Sequence, residues 1–139
     1  PTADSHPKAL SLTQEFWTQL RSRVHTLTPT EHDQIVAHIS HMPHALASLI
    51  VDAALATDPT WAAFAGGGLQ DTTRIASGDP TMWAEILLEN REPVLDALRQ
   101  AENRLQNLLK LLETREIEPL RRFLLEAKEL RDTHIAPQR

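Results

Sequence analysis

The chain has 139 residues, enough for one domain with a hydrophobic core, and its 41% hydrophobic and 24% charged residues are ordinary for a soluble protein. A net charge of -5 gives no basic stripe for nucleic acid or an anionic membrane. Cysteine is absent, which excludes disulfides and thiolate metal sites and fits a reducing cytoplasm, where the chain is expected.

Leu12, Phe16 and Leu20 recur every four residues beside Trp17, so about Leu10 to Arg23 predicts an amphipathic helix. The β-branched stretch Val24 to Leu27 predicts a short strand. Pro1 stands where an initiator methionine would, so a piece of something longer is expected, with residues 1–28 as the closing helix and strand of a larger α/β sheet.

Thr28, Pro29 and Glu31 form a capping box with proline at the first helical position, which starts a helix at residue 29. Helical spacing runs on to about Thr57, with Ile35, Ile39, Met42, Leu46, Leu49 and Ile50 on one face and a kink expected at Pro43. Asp58-Pro59 and Asp79-Pro80 repeat the cap-then-proline signal, and Ala65 to Gly68 between them predicts a loop. Asn90 is placed to cap a further helix. Val94, Leu98, Ala101, Leu105, Leu108 and Leu112 then follow at alternating spacings of four and three, an a/d seam suited to helix pairing. A break near Thr114 and Pro119 introduce a last helix carrying Leu120, Phe123, Leu124, Ala127 and Leu130. The expected architecture is all-α from residue 29 to 139. No apolar run is long enough to span a bilayer.

His38, His41 and His44 are spaced by three, and with His32 or Asp33 they raise the possibility of a transition-metal site. The spacing fans them across an arc of the helix, Pro43 interrupts two of them, and no His-Glu-x-x-His pattern is present, so no metal is expected. Ser40 beside His41 suggests a nucleophile, but no acid completes a triad at a recognisable spacing. His38 reads as a surface or core histidine.

Taken together, His32-Asp33, Ser40-His41-Met42-Pro43-His44, Gly66-Gly67-Gly68, Asp71-Thr72-Thr73-Arg74-Ile75-Ala76 and Trp83 resemble, in order and spacing, the C-terminal helical domain of prephenate and arogenate dehydrogenases. Met42 stands where leucine is more usual, a nearly volume-conserving exchange, and Leu69-Gln70 replace the family's frequent aromatic and basic residues. The resemblance implies a helical substrate and dimerisation domain, preceded by the end of a nucleotide-binding domain. It implies oxidative decarboxylation of prephenate, or of arogenate, with hydride passing to NAD or NADP. Substrate-binding roles are implied for His44, Arg74, the Gly67 backbone, Ser40 and His41, with His41 structural or outside direct contact. Arg74 would hold the ring carboxylate through its planar fork. His32, Asp71 and Trp83 would orient and shield the mouth of the site; a surface ion pair of Arg74 with Asp71 is the plainer reading of those two residues.

The family's catalytic histidine belongs to the nucleotide-binding half, in a His-Pro-Met-x-Gly setting. His6-Pro7-Lys8 matches only its first two residues, and His6 is expected to be an exposed linker residue. Nor does any Gly-x-Gly-x-x-Gly lie between a strand and a helix. No catalytic residue and no bound cofactor are therefore expected in this chain, which alone should be inactive. A homodimer through the helices after Asn90 and a small-molecule substrate, with tyrosine as a further ligand, are the expected partners; neither nucleic acid nor a membrane is. The alternative is a stand-alone helical dimerisation or tyrosine-sensing module.

Overall fold

A computed structural model describes residues 1–135, and among them every regular element is helical. Helix α1 spans Pro7–Gln19, α2 Pro29–Val36, α3 Met42–Leu55, α4 Gly67–Thr73, α5 Pro80–Glu89, α6 Arg91–Thr114 and α7 Ile117–His134. A π turn, Ala37–His41, joins α2 to α3, and two 3-10 turns, Pro59–Phe64 and Arg74–Ser77, flank α4.

Local signals set most of these starts. Thr28 and Glu31 form the reciprocal capping box, with the Glu31 amide donating to Thr28 Oγ1 at 3.2 Å and the Thr28 amide to Glu31 Oε2 at 2.8 Å. The Thr28 backbone and hydroxyl hold the Glu31 carboxyl below the usual carboxylate range. Asp79 Oδ1 accepts from the Met82 amide at 2.8 Å and opens α5. Asp58 accepts from the Thr60 amide in the same way, but it opens a 3-10 turn rather than an α-helix. His6, exposed as expected, caps α1 by accepting from the Lys8 amide at 3.2 Å, with Pro7 at the first helical position. Arg21, at φ 60°, closes α1 in a left-handed conformation, with Ser22 donating to the Trp17 carbonyl and Arg21 to that of Thr18.

Three expectations are corrected. No strand occurs among the described residues, and Val24–Leu27 is irregular: its β-branched residues have no second strand to pair with. The helix from residue 29 runs on through Pro43 to Leu55, but it is not α-helical throughout. Proline cannot donate to the carbonyl four residues back and its ring crowds that carbonyl, so the chain widens into the π turn, where Met42 donates to Ala37 instead. Gly67 and Gly68 are not loop; they form the first turn of α4, with Gly66 as its cap residue.

The chain forms two compact units, residues 1–97 and 98–139. In the first, α3 is the element on which the π turn, both 3-10 turns and α4 pack. Its core is made of small residues: Ala37, Ala47, Val94 and Ala97 are buried, together with the polar His44 and Asn90. The π turn also resets the helix phase, so the expected apolar face does not line the core. Ile39 is 72% exposed and Leu49 55%, while Ala47 and His44 turn inward. In the second unit no described residue is buried, and Leu105, Leu109, Leu112, Leu124 and Leu130 are each more than half exposed. No helix of the described residues is long and apolar enough to cross a membrane.

Candidate functional site

His44 is the most enclosed of the expected site residues. It lies on α3, 5% exposed, with its ring stacked on the Trp83 indole of α5 at a centroid distance of 3.6 Å and an interplanar angle of 10°. Its Nδ1 is sealed from solvent and has no hydrogen-bond partner. A buried polar atom that the protein leaves unsatisfied is uncommon and costly. With Nδ1 shut off, Nε2 is the nitrogen through which this ring can meet a ligand.

Gly78 makes that stack possible. It closes the Arg74–Ser77 turn, and a Cβ there would fall 2.5 Å from Trp83 Nε1 and 3.2 Å from His44 Cε1. The indole therefore occupies the space a larger side chain would need. His41, at the end of the π turn, meets the other side of the group: its ring is edge-on to Trp83 at 6.3 Å and 82°.

His41 also belongs to a second cluster. Its Nδ1 lies 3.1 Å from Asn90 Nδ2, which donates to the Asp33 carbonyl at 2.8 Å, while the Asp33 carboxylate engages His32 Nδ1 at 3.0 Å. These residues, with Val36, Ile86 and Glu89, line a pocket of about 330 Å³. Burial lowers the pKa of His41 and the neighbouring His32 lowers it further, against an opposing pull from Asp33.

His41, His44 and Trp83 are thus brought into contact, and His32 joins them through Asp33 and Asn90. Ser40 is exposed in the π turn. Arg74 is exposed at the start of the 3-10 turn that packs on α3 and ends at Gly78, beside His44. No side-chain hydrogen bond or ion pair among the described residues engages Arg74 or Asp71, so the surface pair between them does not form. Around Gly66, Gly67 and Gly68 a Cβ would meet open space, and none has positive φ, so neither crowding nor backbone conformation calls for glycine there. No group of three potential ligands is arranged for a metal among the described residues. Two members of the site were not foreseen. Gly78 carries no local signal, and Asn90 reads in sequence as a helix cap although its side chain is committed to partners far back in the chain.

Over residues 28–126 the chain matches the family described as "Prephenate dehydrogenase, dimerization domain". It belongs to that family. Among similar proteins, the prephenate dehydrogenase of Bacillus subtilis (strain 168) is 36% identical over 109 residues, covering 76% of this chain and 29% of the relative. Among solved structures, prephenate dehydrogenase from Aquifex aeolicus, in complex with hydroxyphenyl propionate and NAD+, is 35% identical, with a TM-score of 0.81 over 94% of this chain and 47% of that one. Synechocystis arogenate dehydrogenase is 25% identical, with a TM-score of 0.83 over 96% of this chain and 50% of that one. The chain therefore spans less than a third of the Bacillus relative and about half of each solved chain.

Proposed function

We propose that this chain supplies the substrate-side and dimer-forming helical part of an NAD(P)-dependent prephenate dehydrogenase, which oxidatively decarboxylates prephenate to 4-hydroxyphenylpyruvate in tyrosine biosynthesis. Residues 29–139 would be that helical domain and 1–28 the end of the nucleotide-binding one. The observation that carries this reading is His44, held flat against Trp83 with Nδ1 sealed and unpaired, so that Nε2 alone is available to a polar ligand. In the proposed site His44 meets the substrate's side chain, Arg74 takes the ring carboxylate, the Gly67 backbone and Ser40 add hydrogen bonds, and His41 supports the ring of Trp83. His32, Asp71 and Trp83 shield the mouth. An arginine with no partner of its own among the described residues is suited to a carboxylate, because its fork need not be released from another acid first.

The nucleotide cofactor does not fit these residues. The strand, glycine-rich turn and helix that cradle a pyrophosphate are missing from the described residues: the glycines that open α4 have no strand ahead of them. In this reading the hydride acceptor and the base that acts on the substrate hydroxyl come from outside this chain, and the purified chain should not reduce NAD or NADP when given prephenate.

Arg74→Ala in an active enzyme carrying this chain tests the assignment. Loss of a bidentate charge-assisted contact costs about 1.5–3 kcal/mol, or roughly ten- to hundredfold in substrate affinity. Cofactor affinity should stay constant, and Arg74→Lys should also bind substrate weakly because lysine lacks the fork. Unchanged substrate affinity in Arg74→Ala would overturn the proposed site.

A further inference from the structure

Asn90 lies at the junction of α5 and α6, 8% exposed, and both helices use its backbone: its amide donates to the Ile86 carbonyl at 3.2 Å and its carbonyl accepts from Val94 at 3.1 Å. Its side chain turns instead toward residues 57 and 49 positions earlier, Asp33 and His41. Nδ2 is 2.8 Å from the Asp33 carbonyl oxygen, which can only accept. The amide must therefore present its NH2 there, since a rotated amide would set oxygen against oxygen. One N–H is spent on Asp33. The other faces His41 Nδ1 at 3.1 Å, so that nitrogen has to offer its lone pair.

The groups around His41 agree with a neutral ring. The Asp33 carboxylate, the nearest anion on α2, is already engaged by His32 Nδ1 at 3.0 Å. Glu89 of α5 lines the same pocket, and Trp83 meets the imidazole edge-on. Partial burial and His32 both disfavour a second proton. Among the described residues Nε2 of His41 has no hydrogen-bond partner.

We infer that Asn90 is a positioning residue for His41: anchored on the Asp33 carbonyl, its amide holds the imidazole as the neutral Nε2–H tautomer, which presents one fixed donor to a carboxylate or carbonyl oxygen of a ligand. The ligand half rests on the dehydrogenase reading above; the tautomer lock does not. An imidazole free to exchange its proton between nitrogens would offer donor and acceptor at the same position in turn. The Asn90 amide removes that ambiguity without adding charge to the site.

Long-range proton–nitrogen correlation spectra of the full 139-residue chain, labelled with 15N-histidine, test this at neutral pH. The expected pattern is a protonated Nε2 and a bare Nδ1 for His41. Asn90→Ala should give a mixture of tautomers. Asn90→Asp, which sets a carboxylate in place of the donor, should move the proton to Nδ1 and raise the His41 pKa by about one pH unit. A proton on Nδ1 in the unaltered chain overturns the lock, and that spectrum decides even if the variants fail to fold; so does an unchanged tautomer ratio in folded Asn90→Ala. Hydroxyphenyl propionate added to the chain should shift His41 Nε2 together with His44 and Trp83. Response of His44 and Trp83 without His41 would overturn the donor role. Silence of all three would instead count against the dehydrogenase site and leave the lock to the ligand-free spectra.

Discussion

Removing the Trp83 ring should loosen the part of the fold that holds His44. The indole stacks on that imidazole at 3.6 Å and 10°, touches His41 edge-on, and fills the space left by the missing side chain of Gly78. A stacked aromatic pair contributes about 0.5–1.5 kcal/mol beyond its buried area. Complete truncation of a core tryptophan costs about 3–5 kcal/mol, but Trp83 is only half-buried, so the lower part of that range applies. Trp83→Ala is thus expected to lose about 2–3 kcal/mol, whereas Trp83→Phe, which keeps a flat ring over His44, should lose about 1 kcal/mol. Urea titration followed by far-ultraviolet circular dichroism reads both, at one protein concentration so that any association is held constant. The midpoints should fall with little change in slope. Trp83→Ala within about 0.5 kcal/mol of the unaltered chain, the range of an ordinary surface substitution, would refute the view that this ring is part of the packing. Equal losses in the two variants would refute the stacking contribution.

Thr28→Ala should destabilise α2 by about 1 kcal/mol, read by the same titration, because it removes the acceptor for the Glu31 amide. Glu31, with its pKa depressed in the fold, adds stability that is present above its unfolded value and lost as pH falls through the folded one. His41 gives a second acid dependence. Its folded pKa lies below 6.5, so the unfolded chain takes up the proton first and stability falls as pH drops below about 6.5. Comparison with His41→Gln separates this slope from that of the other six histidines, and an identical slope in both would contradict it. Leu105→Glu with Leu112→Glu places two charges on an exposed apolar seam, and sedimentation should show a dimer converted to monomer at micromolar concentration. A dimer that survives both substitutions would move the interface elsewhere.

The residues that could be read from sequence are those whose partners lie within a turn or two. Thr28 with Glu31, Asp79 with Met82 and the prolines that follow the caps act over three or four positions, and each opens a helix where expected. The resemblance carried by Ser40 to His44 and by Trp83 rested on such short segments too, and three of its residues, His41, His44 and Trp83, meet in space. Val24–Leu27 shows where local preference stops: β-branched residues favour a strand only when another strand supplies hydrogen bonds. The apolar face of α3 failed for a related reason. Counting in steps of 3.6 from residue 29 assumes an unbroken α-helix, and the π turn before Pro43 advances the phase, so alanines and a histidine face the core in place of the isoleucines. Asn90 is the extreme case. Its position before α6 does supply the carbonyl that Val94 needs, so the expectation of a cap was sound for the backbone. The side chain answers instead to Asp33 and His41, and no pattern within one element could reveal partners about fifty residues away. A polar residue buried at a helix junction, with its backbone already satisfied, has to spend its amide somewhere in the interior. In this chain it spends it on the one histidine that shares an aromatic neighbour with His44, which couples the packing of two helix ends to the protonation of the site.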